Sequence, residues 1–392
     1  MRSSERRKIT FLTATRADFG KLKPLIAKVA DAPGLEYDIF ATGMHMLSRY
    51  GSTLHEIYKS GFTNVYPYTN QDGSVTSQMD LVLANTVQGL GLHIREQRPD
   101  LLVVHGDRVE ALAGAIVGVL NNLLVAHIEG GEVSGTVDET LRHAVTKLSH
   151  VHFVANEQAA TRLQQLGELP SSTFVIGSPD IDVMFSDSLP NLAEVKARYE
   201  IGFSDYAIFV YHPVTTEHGN LRSKIRTTVA TLVDSALNFV VIQPNNDYGA
   251  DIIQEELSQL ATHPRFRLLP SMRFEYFLGL LKHARFIAGN SSAGIREAPA
   301  YGVPTLNIGT RQLNRWHHES IVNVPENREQ ILDGISKLPR RVAPVTHFGD
   351  GRSADRFLSI LTNPAVWEIP TQKFFRDMPL ATQSVSAPSV GD

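Results

Sequence analysis

Short runs of apolar, often β-branched residues recur along the chain and alternate with segments of helical periodicity. The runs are nearly continuous, which is typical of strands buried on both faces of a parallel sheet. An apolar stripe at helical spacing marks residues 78–98 and 250–262. This alternation of strand and helix indicates right-handed βαβ units and therefore an α/β fold class. The predicted strands are residues 8–14, 100–106, 123–129, 151–155, 173–177, 207–212, 239–244, 285–289 and 303–309.

The alternation is interrupted near the middle of the chain, where residues 178–195 are rich in Pro, Asp and Ser. A chain of 392 residues is too long for one ordinary domain and suits two of about 200 residues. We therefore predict two Rossmann-like domains, residues 8–180 and 181–355, that face each other across a central cleft. Residues 356–380 are expected to form a helical segment that packs back on the first domain, and the polar residues 381–392 to be disordered.

Composition excludes several classes of protein. The net charge of −4 argues against a protein that grips a nucleic-acid backbone. With no cysteine, the chain has no disulfide, no thiolate nucleophile and no thiolate zinc site. No apolar stretch approaches the roughly 18–20 residues of a membrane helix, and the apolar run at residues 9–12 is too short for a secretory signal. We expect a cytoplasmic protein that binds neither nucleic acid nor membrane.

Charged and polar residues collect just after the predicted strands. Because ligands bind at the carboxyl edge of open parallel sheets, one crevice could gather all of these side chains. Asp107, Glu129 and Asp138 each lie near an Arg or a His, and charges this close shift one another's pKa, which suits acid–base chemistry. A polar network that ties loops together is the alternative. The set comprises Arg16, Asp18, Asp107, Arg108, Glu129, Asp138, Arg142, His212, Asn245, Ser291, Ser292, Arg296 and Glu297.

The segment GNSSAGIREA (289–298) is predicted to end a strand and begin a helix. Free N–H groups at a helix start, together with the hydroxyls of Ser291 and Ser292, form an anion site of the kind that binds phosphate. An ordinary serine N-cap is the alternative. The neighbouring cations Arg16 and Arg108, together with His212, favour phosphate.

Two histidine–carboxylate pairs and several glycine-rich stretches bear on metal and nucleotide cofactors. His105 with Asp107 and His127 with Glu129 could contribute to a metal site, but the spacing supplies no third ligand, and histidines at strand ends often bond backbone carbonyls. We therefore predict no metal. No glycine-rich dinucleotide fingerprint stands between a strand and a helix, and no Walker motif occurs, so no cofactor is expected. The tandem His317 and His318 receive no role.

Seven longer motifs carry a family resemblance. They resemble those of the hydrolysing UDP-N-acetylglucosamine 2-epimerases, which include bacterial enzymes of sialic-acid and legionaminic-acid pathways and the epimerase half of the animal bifunctional enzyme. The match extends in order from about residue 9 to residue 312. The motifs are TATRADFGKLKPLI (13–26), TGMH (42–45), HGDRVEALAGAI (105–116), HIEGGEVSGTVDETLRHAVTKLSH (127–150), HPVTTE (212–217), QPNND (243–247) and GNSSAGIREAPAYGVPTLNIGTRQ (289–312).

The resemblance implies a GT-B-like fold with a UDP-sugar between the domains, a homodimer or homotetramer, and release of UDP and N-acetylmannosamine without metal or nicotinamide. Asp107, Glu129, Asp138, Arg142 and His212 match the catalytic positions, mostly in the first domain. The nucleotide-binding positions, mostly in the second, are Arg16, Arg108, His212, Asn245, Ser291, Ser292, Glu297 and Arg311.

Two departures from the animal enzyme concern the ligand. Gly20 stands where that enzyme has a serine near the nucleotide. The residues LNRWHHES that follow GTRQ here also differ from those that follow this motif in the animal enzyme. Two substrates are therefore compatible with the sequence: UDP-N-acetylglucosamine is expected, and UDP-2,4-diacetamido-2,4,6-trideoxyglucose is the alternative. A GT-B glycosyltransferase is the rival function.

Overall fold

The computed structural model of the protein describes residues 6–48, 51–71, 78–134, 137–244, 248–312 and 315–378. These residues form two β-sheets with helices packed against them. Two sequence predictions, Asn245 and the tail from residue 381, lie outside the described residues. Within those ranges, no helix has the length and apolar character needed to span a membrane.

The first sheet is built from β1 (Arg7–Thr13), β2 (Leu35–Ala41), β3 (Val65–Pro67), β4 (Leu101–His105), β5 (Leu124–Ile128), β6 (Val151–Val154) and β7 (Thr173–Val175). The strands are parallel and run in the order β3-β2-β1-β4-β5-β6-β7. The order changes direction between β1 and β4, where a crevice opens at the carboxyl ends. The helices of this part are α1 (Arg16–Asp31), α2 (Leu54–Lys59), α3 (Met79–Gln97), α4 (Val109–Leu120), α5 (Val137–Leu148) and α6 (Glu157–Gln165).

The second sheet repeats the arrangement with β8 (Ala207–Val210), β9 (Phe239–Ile242), β10 (Phe266–Leu269), β11 (Ile287–Gly289), β12 (Thr305–Ile308) and β13 (Ile321–Val324). Its strands are parallel in the order β10-β9-β8-β11-β12-β13, so the switch lies between β8 and β11. The remaining helices are α7 (Pro179–Met184) and α8 (Leu192–Tyr199) in the junction, then α9 (Leu221–Asp234), α10 (Ala250–Ser258), α11 (Phe274–Leu281), α12 (Glu297–Ala300), α13 (Arg328–Lys337) and α14 (Ser353–Leu361).

The core of the first domain includes the end of the chain. Phe11 of β1 and Phe153 of β6 are fully buried beneath α1, as their apolar runs require. Phe357 of α14 joins them, with ring centroids 6.4 Å from Phe11 and 4.8 Å from Phe153. The chain therefore returns from the second sheet to cover the first.

The predicted α/β class with two parallel sheets is confirmed, and each of the nine predicted strands overlaps an observed strand. Four strands were missed: β2, β3, β10 and β13. Three of these lie at sheet edges, where burial on two faces is not required. The fourth, β2, reads LEYDIFA, and its central Asp38 is buried because Thr10 and His93 bond the carboxylate.

The predicted helix within GNSSAGIREA is wrong as a continuous element. A single 3₁₀ turn, Ser292–Gly294, is followed by the four-residue α12. Pro299 explains the break, because it has no N–H and its ring clashes with the carbonyl of Ile295 in an unbroken helix. Ser291 therefore caps a single turn, which Ser292 begins.

Candidate active site between the two sheets

The carboxyl ends of the two sheets meet at a cleft. Arg296, which follows β11 of the second sheet, hydrogen-bonds to Glu129, which follows β5 of the first. Farther out, Arg16 Nη1 lies 3.4 Å from Ser271 Oγ, and Lys23 Nζ lies 3.1 Å from a Glu275 carboxylate oxygen. Both switch points therefore open into the same space between the domains.

Glu129 has an unfavourable backbone conformation. Its φ of 64° lies in the left-handed region, which non-glycine residues rarely occupy. Gly131 follows with a φ of 79°, and a Cβ there would come within 2.4 Å of the Ala159 carbonyl oxygen. The chain thus turns sharply at the sheet edge. Such strain is most often retained at functional sites, which supports a role for Glu129.

Four donors surround the Glu129 carboxylate, which is only 5% exposed. Lys21 Nζ and His105 Nε2 lie 3.0 and 3.1 Å from Oε2. The Ser178 hydroxyl and Arg296 Nη2 bond the other oxygen, Oε1. Burial acts to raise the pKa of Glu129, but Arg296 and Lys21 outweigh burial and hold that pKa well below its usual value. Glu129 is therefore an ionised carboxylate at neutral pH.

Asp180 and Glu297 extend the same buried cluster. Asp180 Oδ2 lies 3.3 Å from Lys21 Nζ, and the pKa of Asp180 is lowered because Lys21 and Arg296 outweigh the effect of burial. Burial and the charge of Asp180 raise the pKa of Glu297 to about 7. Burial and Arg296 act to lower the pKa of Lys21, yet the surrounding carboxylates raise it. The cluster thus contains one carboxyl group that titrates near neutral pH.

A second ion pair joins Asp107, after β4, to Arg142 of α5. Arg142 also donates to the Glu132 carbonyl at 3.1 Å and lies 3.4 Å from Ser134 Oγ, so its guanidinium is fixed. Burial acts to raise the pKa of Asp107, but Arg142 and Arg315 outweigh burial and lower it. Asp138 lies in the first turn of the same helix, half-buried.

Several predicted nucleotide positions lie at the ends of β8, β11 and β12. The buried Asn290 side chain joins two of these ends, because its Oδ1 accepts from the His212 N–H at 2.6 Å and its Nδ2 donates to the His212 carbonyl at 2.8 Å. Arg311 Nη1 donates to the Asn290 carbonyl at 3.3 Å. Ser291 caps the 3₁₀ turn, and the half-buried Ser292 begins it.

Arg16 and Arg108 flank the switch point of the first sheet. Arg16 pairs with Glu56 at 3.1 Å, and Arg108 Nε lies 3.3 Å from Glu110 Oε2. Each arginine is therefore held by a carboxylate. Gly20, on α1, packs against Phe274 of α11, where a Cβ would come within 3.2 Å of the ring. The glycine thus allows close approach of the two domains.

Both histidines considered as metal ligands are hydrogen-bonded within the protein, and His105 bonds Glu129. His127 bonds the Gly106 carbonyl at 2.8 Å and Thr146 at 3.1 Å, and burial lowers its pKa to about 3. Over the described ranges, no three His, Asp or Glu side chains are grouped as metal ligands. His318 stacks on Trp316 at 5.1 Å, whereas His317 is exposed.

Sequence reasoning missed several members of the buried cluster. No sequence pattern marked Lys21, Ser178 or Asp180 as site residues, because their positions in the cluster depend on how the junction packs against α1. Arg296 was noted among the strand-end residues but received no role. Arg315 was also missed; burial and the nearby Arg142 and Arg311 lower its pKa to about 10. Its position soon after the GTRQ motif was the available signal.

Comparison with known proteins gives consistent matches. A family model described as UDP-N-acetylglucosamine 2-epimerase matches residues 27–362. A protein of that name from Neisseria meningitidis serogroup B is 46% identical over 379 residues, 95% of this chain and 100% of that protein. A UDP-N,N′-diacetylbacillosamine 2-epimerase (hydrolyzing) from Legionella pneumophila is 30% identical over 362 residues, 91% of this chain and 95% of that protein.

Solved structures share the fold. The crystal structure of UDP-GlcNAc 2-epimerase from Neisseria meningitidis bound to UDP-GlcNAc has a TM-score of 0.76 at 19% identity, covering 90% of this chain and 99% of that one. The predicted GT-B-like arrangement of two parallel-sheet domains is thereby confirmed.

Proposed function

The chain belongs to the UDP-N-acetylglucosamine 2-epimerase family, and on this basis we propose that it is the hydrolysing type, which converts UDP-N-acetylglucosamine to UDP and N-acetylmannosamine. The Legionella pneumophila relative, whose name states hydrolysis, supports this type. The product would feed the biosynthesis of sialic-acid-type sugars.

The chemistry requires a charged and protected site. The C2 hydrogen of the sugar is not α to a carbonyl, so a base cannot simply remove it. Departure of UDP builds positive charge at C1 and makes that hydrogen acidic. The C1–O bond breaks, a carboxylate takes the proton from C2, and a 2-acetamidoglucal forms. Water then adds its oxygen at C1 while an acid protonates C2 from the opposite face.

One observation carries the proposal: ionised carboxylates from the strand ends of the first domain meet arginines from the second domain in a buried cluster. Glu129 is assigned to proton transfer with Asp107 and Asp138, while Arg142 fixes Asp107. Cations beside the cleft stabilise the departing diphosphate electrostatically. The proposed ligands of UDP are Arg16, Arg108, His212, Asn245, Ser291, Ser292, Glu297 and Arg311.

A second candidate substrate is UDP-2,4-diacetamido-2,4,6-trideoxyglucose. The Legionella pneumophila relative, named for a diacetamido sugar, favours it. The same elimination and hydration would apply, because the two sugars differ at C4 and C6, away from the reacting carbons.

The decisive experiment incubates the protein alone with each UDP-sugar and follows the reaction by proton NMR. Release of UDP and free N-acetylmannosamine from UDP-N-acetylglucosamine supports the proposal. Accumulation of UDP-N-acetylmannosamine as final product would contradict the hydrolysing type. Turnover only after addition of an acceptor sugar would indicate a glycosyltransferase, and binding without turnover would indicate a nucleotide-sugar sensor. The faster of the two UDP-sugars identifies the substrate.

A further inference from the structure

The Glu129 carboxylate receives donors from both domains. Lys21, His105 and Ser178 belong to the first domain and its junction, whereas Arg296 belongs to the second. Arg296 bonds both Glu129 Oε1 and the Ser178 hydroxyl, so one guanidinium orients the carboxylate and one of its other donors.

Arg296 is itself held in place. It is 5% exposed, its Nε lies 3.7 Å from Asp180 Oδ2, and its guanidinium carbon lies 5.0 Å from the centre of the Phe348 ring. A planar guanidinium can bond two acceptors in fixed directions, whereas an ammonium group acts as a point charge. The Arg296 guanidinium therefore holds the Glu129 carboxylate at a residue whose backbone already lies in the left-handed region.

We propose that Arg296 is the positioning residue for Glu129, so that the proton-transfer carboxylate is fixed only when the second domain is seated against the first. Arg296 contacts Glu129, Ser178 and Asp180, so its loss is expected to lower kcat more than UDP affinity, and the two effects can be separated by measurement. The inference rests on the proposed function, because it assumes that Glu129 transfers a proton.

The test compares three variants of the full chain. Arg296→Gln removes the cation, Arg296→Lys keeps the charge without the planar geometry, and Lys23→Gln is a matched control that breaks another ion pair between the domains. We expect Arg296→Gln to lower kcat about 100-fold, the order of loss that accompanies a misplaced catalytic group. UDP affinity, measured by calorimetry, should stay within a few-fold, and Lys23→Gln should retain kcat near that of the wild type.

The pH profile supplies a readout that a merely structural role would leave unchanged. Charged and titratable groups around Glu129 are Lys21 from α1, His105 from β4, Asp180 from α7, and Arg296 with its neighbour Glu297. Loss of the Arg296 cation raises the pKa of Glu129, so the acid limb of kcat/KM should move to higher pH in Arg296→Gln. Arg296→Lys should return the limb toward the wild-type position. The shift should persist in an Asp180→Asn background.

Each outcome has a defined meaning. The inference would be overturned if Arg296→Gln had the kcat and the acid limb of the wild type. It would also be overturned if Arg296→Gln no longer shifted the acid limb in the Asp180→Asn background. If Arg296→Gln does not fold, Arg296→Lys decides: a lower kcat with unchanged UDP affinity supports positioning, and an unchanged kcat overturns it. Failure of the wild-type enzyme to release UDP would instead refute the proposed function.

Discussion

Glu129 combines three features that a folded protein ordinarily avoids: a left-handed backbone, deep burial and a full negative charge. Each costs free energy, and the surrounding cations offset the cost of the charge. Removal of one partner from such a cluster exposes that cost, so activity and stability must be measured together for every variant at this site.

Glu129→Gln should lower turnover roughly 10²–10⁴-fold, the usual contribution of one acid–base group. It also removes the negative charge that compensates the buried positive charges of Lys21 and Arg296, so the melting temperature should fall. Glu129→Asp separates the two effects, because it keeps the charge but withdraws the carboxylate by one methylene. We expect Glu129→Asp to recover stability more than turnover. Near-normal turnover in the folded glutamine variant would remove Glu129 from the catalytic set.

The raised pKa of Glu297 predicts that the stability of the protein depends on pH. Its pKa in the folded protein is about 7, above the ordinary value of 4.5, so the folded state holds this proton more tightly than the unfolded state. The contribution to stability is complete below about pH 4.5 and is lost as pH rises through 7, by about 3 kcal/mol in all. Glu297→Gln stays neutral, so its melting temperature should fall less between pH 5 and 8 than that of the wild type. The exposed Glu319→Gln is the control, and parallel curves would contradict the assignment.

Helix α14 is the element that ties the end of the chain to the first domain. Its Phe357 fills space between two aromatic rings of that core. The helix has nine residues, too few to be stable alone, so its order depends on this packing.

Phe357→Ala should lower the free energy of unfolding by about 3–5 kcal/mol, the usual effect of removing a buried phenylalanine. Phe375→Ala is the matched control, because that ring is 92% exposed and its loss should change stability by less than about 0.5 kcal/mol. Denaturant titration of both variants measures the difference. Equal effects would mean that α14 does not stabilise the first domain.

At the scale of the whole molecule, the carboxyl edges of the two sheets face each other, so a ligand in the cleft should stabilise both domains. UDP at 100 times its Kd should stabilise the fold by about 2.7 kcal/mol and raise the melting temperature. The proposed site binds the diphosphate through cations, so uridine at the same concentration should shift the melting temperature far less. Calorimetric scans with each ligand test this, and equal shifts would place the binding energy in the base and ribose.

The sequence by itself determined the architecture and the sheet edge where the candidate site lies. Nearly continuous apolar runs are required when both faces of a strand are buried, so nine strands and the βαβ order could be predicted from the pattern. Because parallel strands bring their carboxyl ends to one edge, Asp107, Glu129 and Arg142 could also be placed near a cleft.

Only the tertiary structure decided which of these side chains touch. Lys21, Asp180 and Arg296 lie far apart in sequence, and their cluster exists because the junction and the second domain pack against α1 and β5. Three of the four edge strands, β3, β10 and β13, were too little buried to show an apolar run, and the helix after Ser291 was broken by Pro299. Domain packing also determines the pKa of Glu129 and Glu297, because it sets both their burial and the charges beside them.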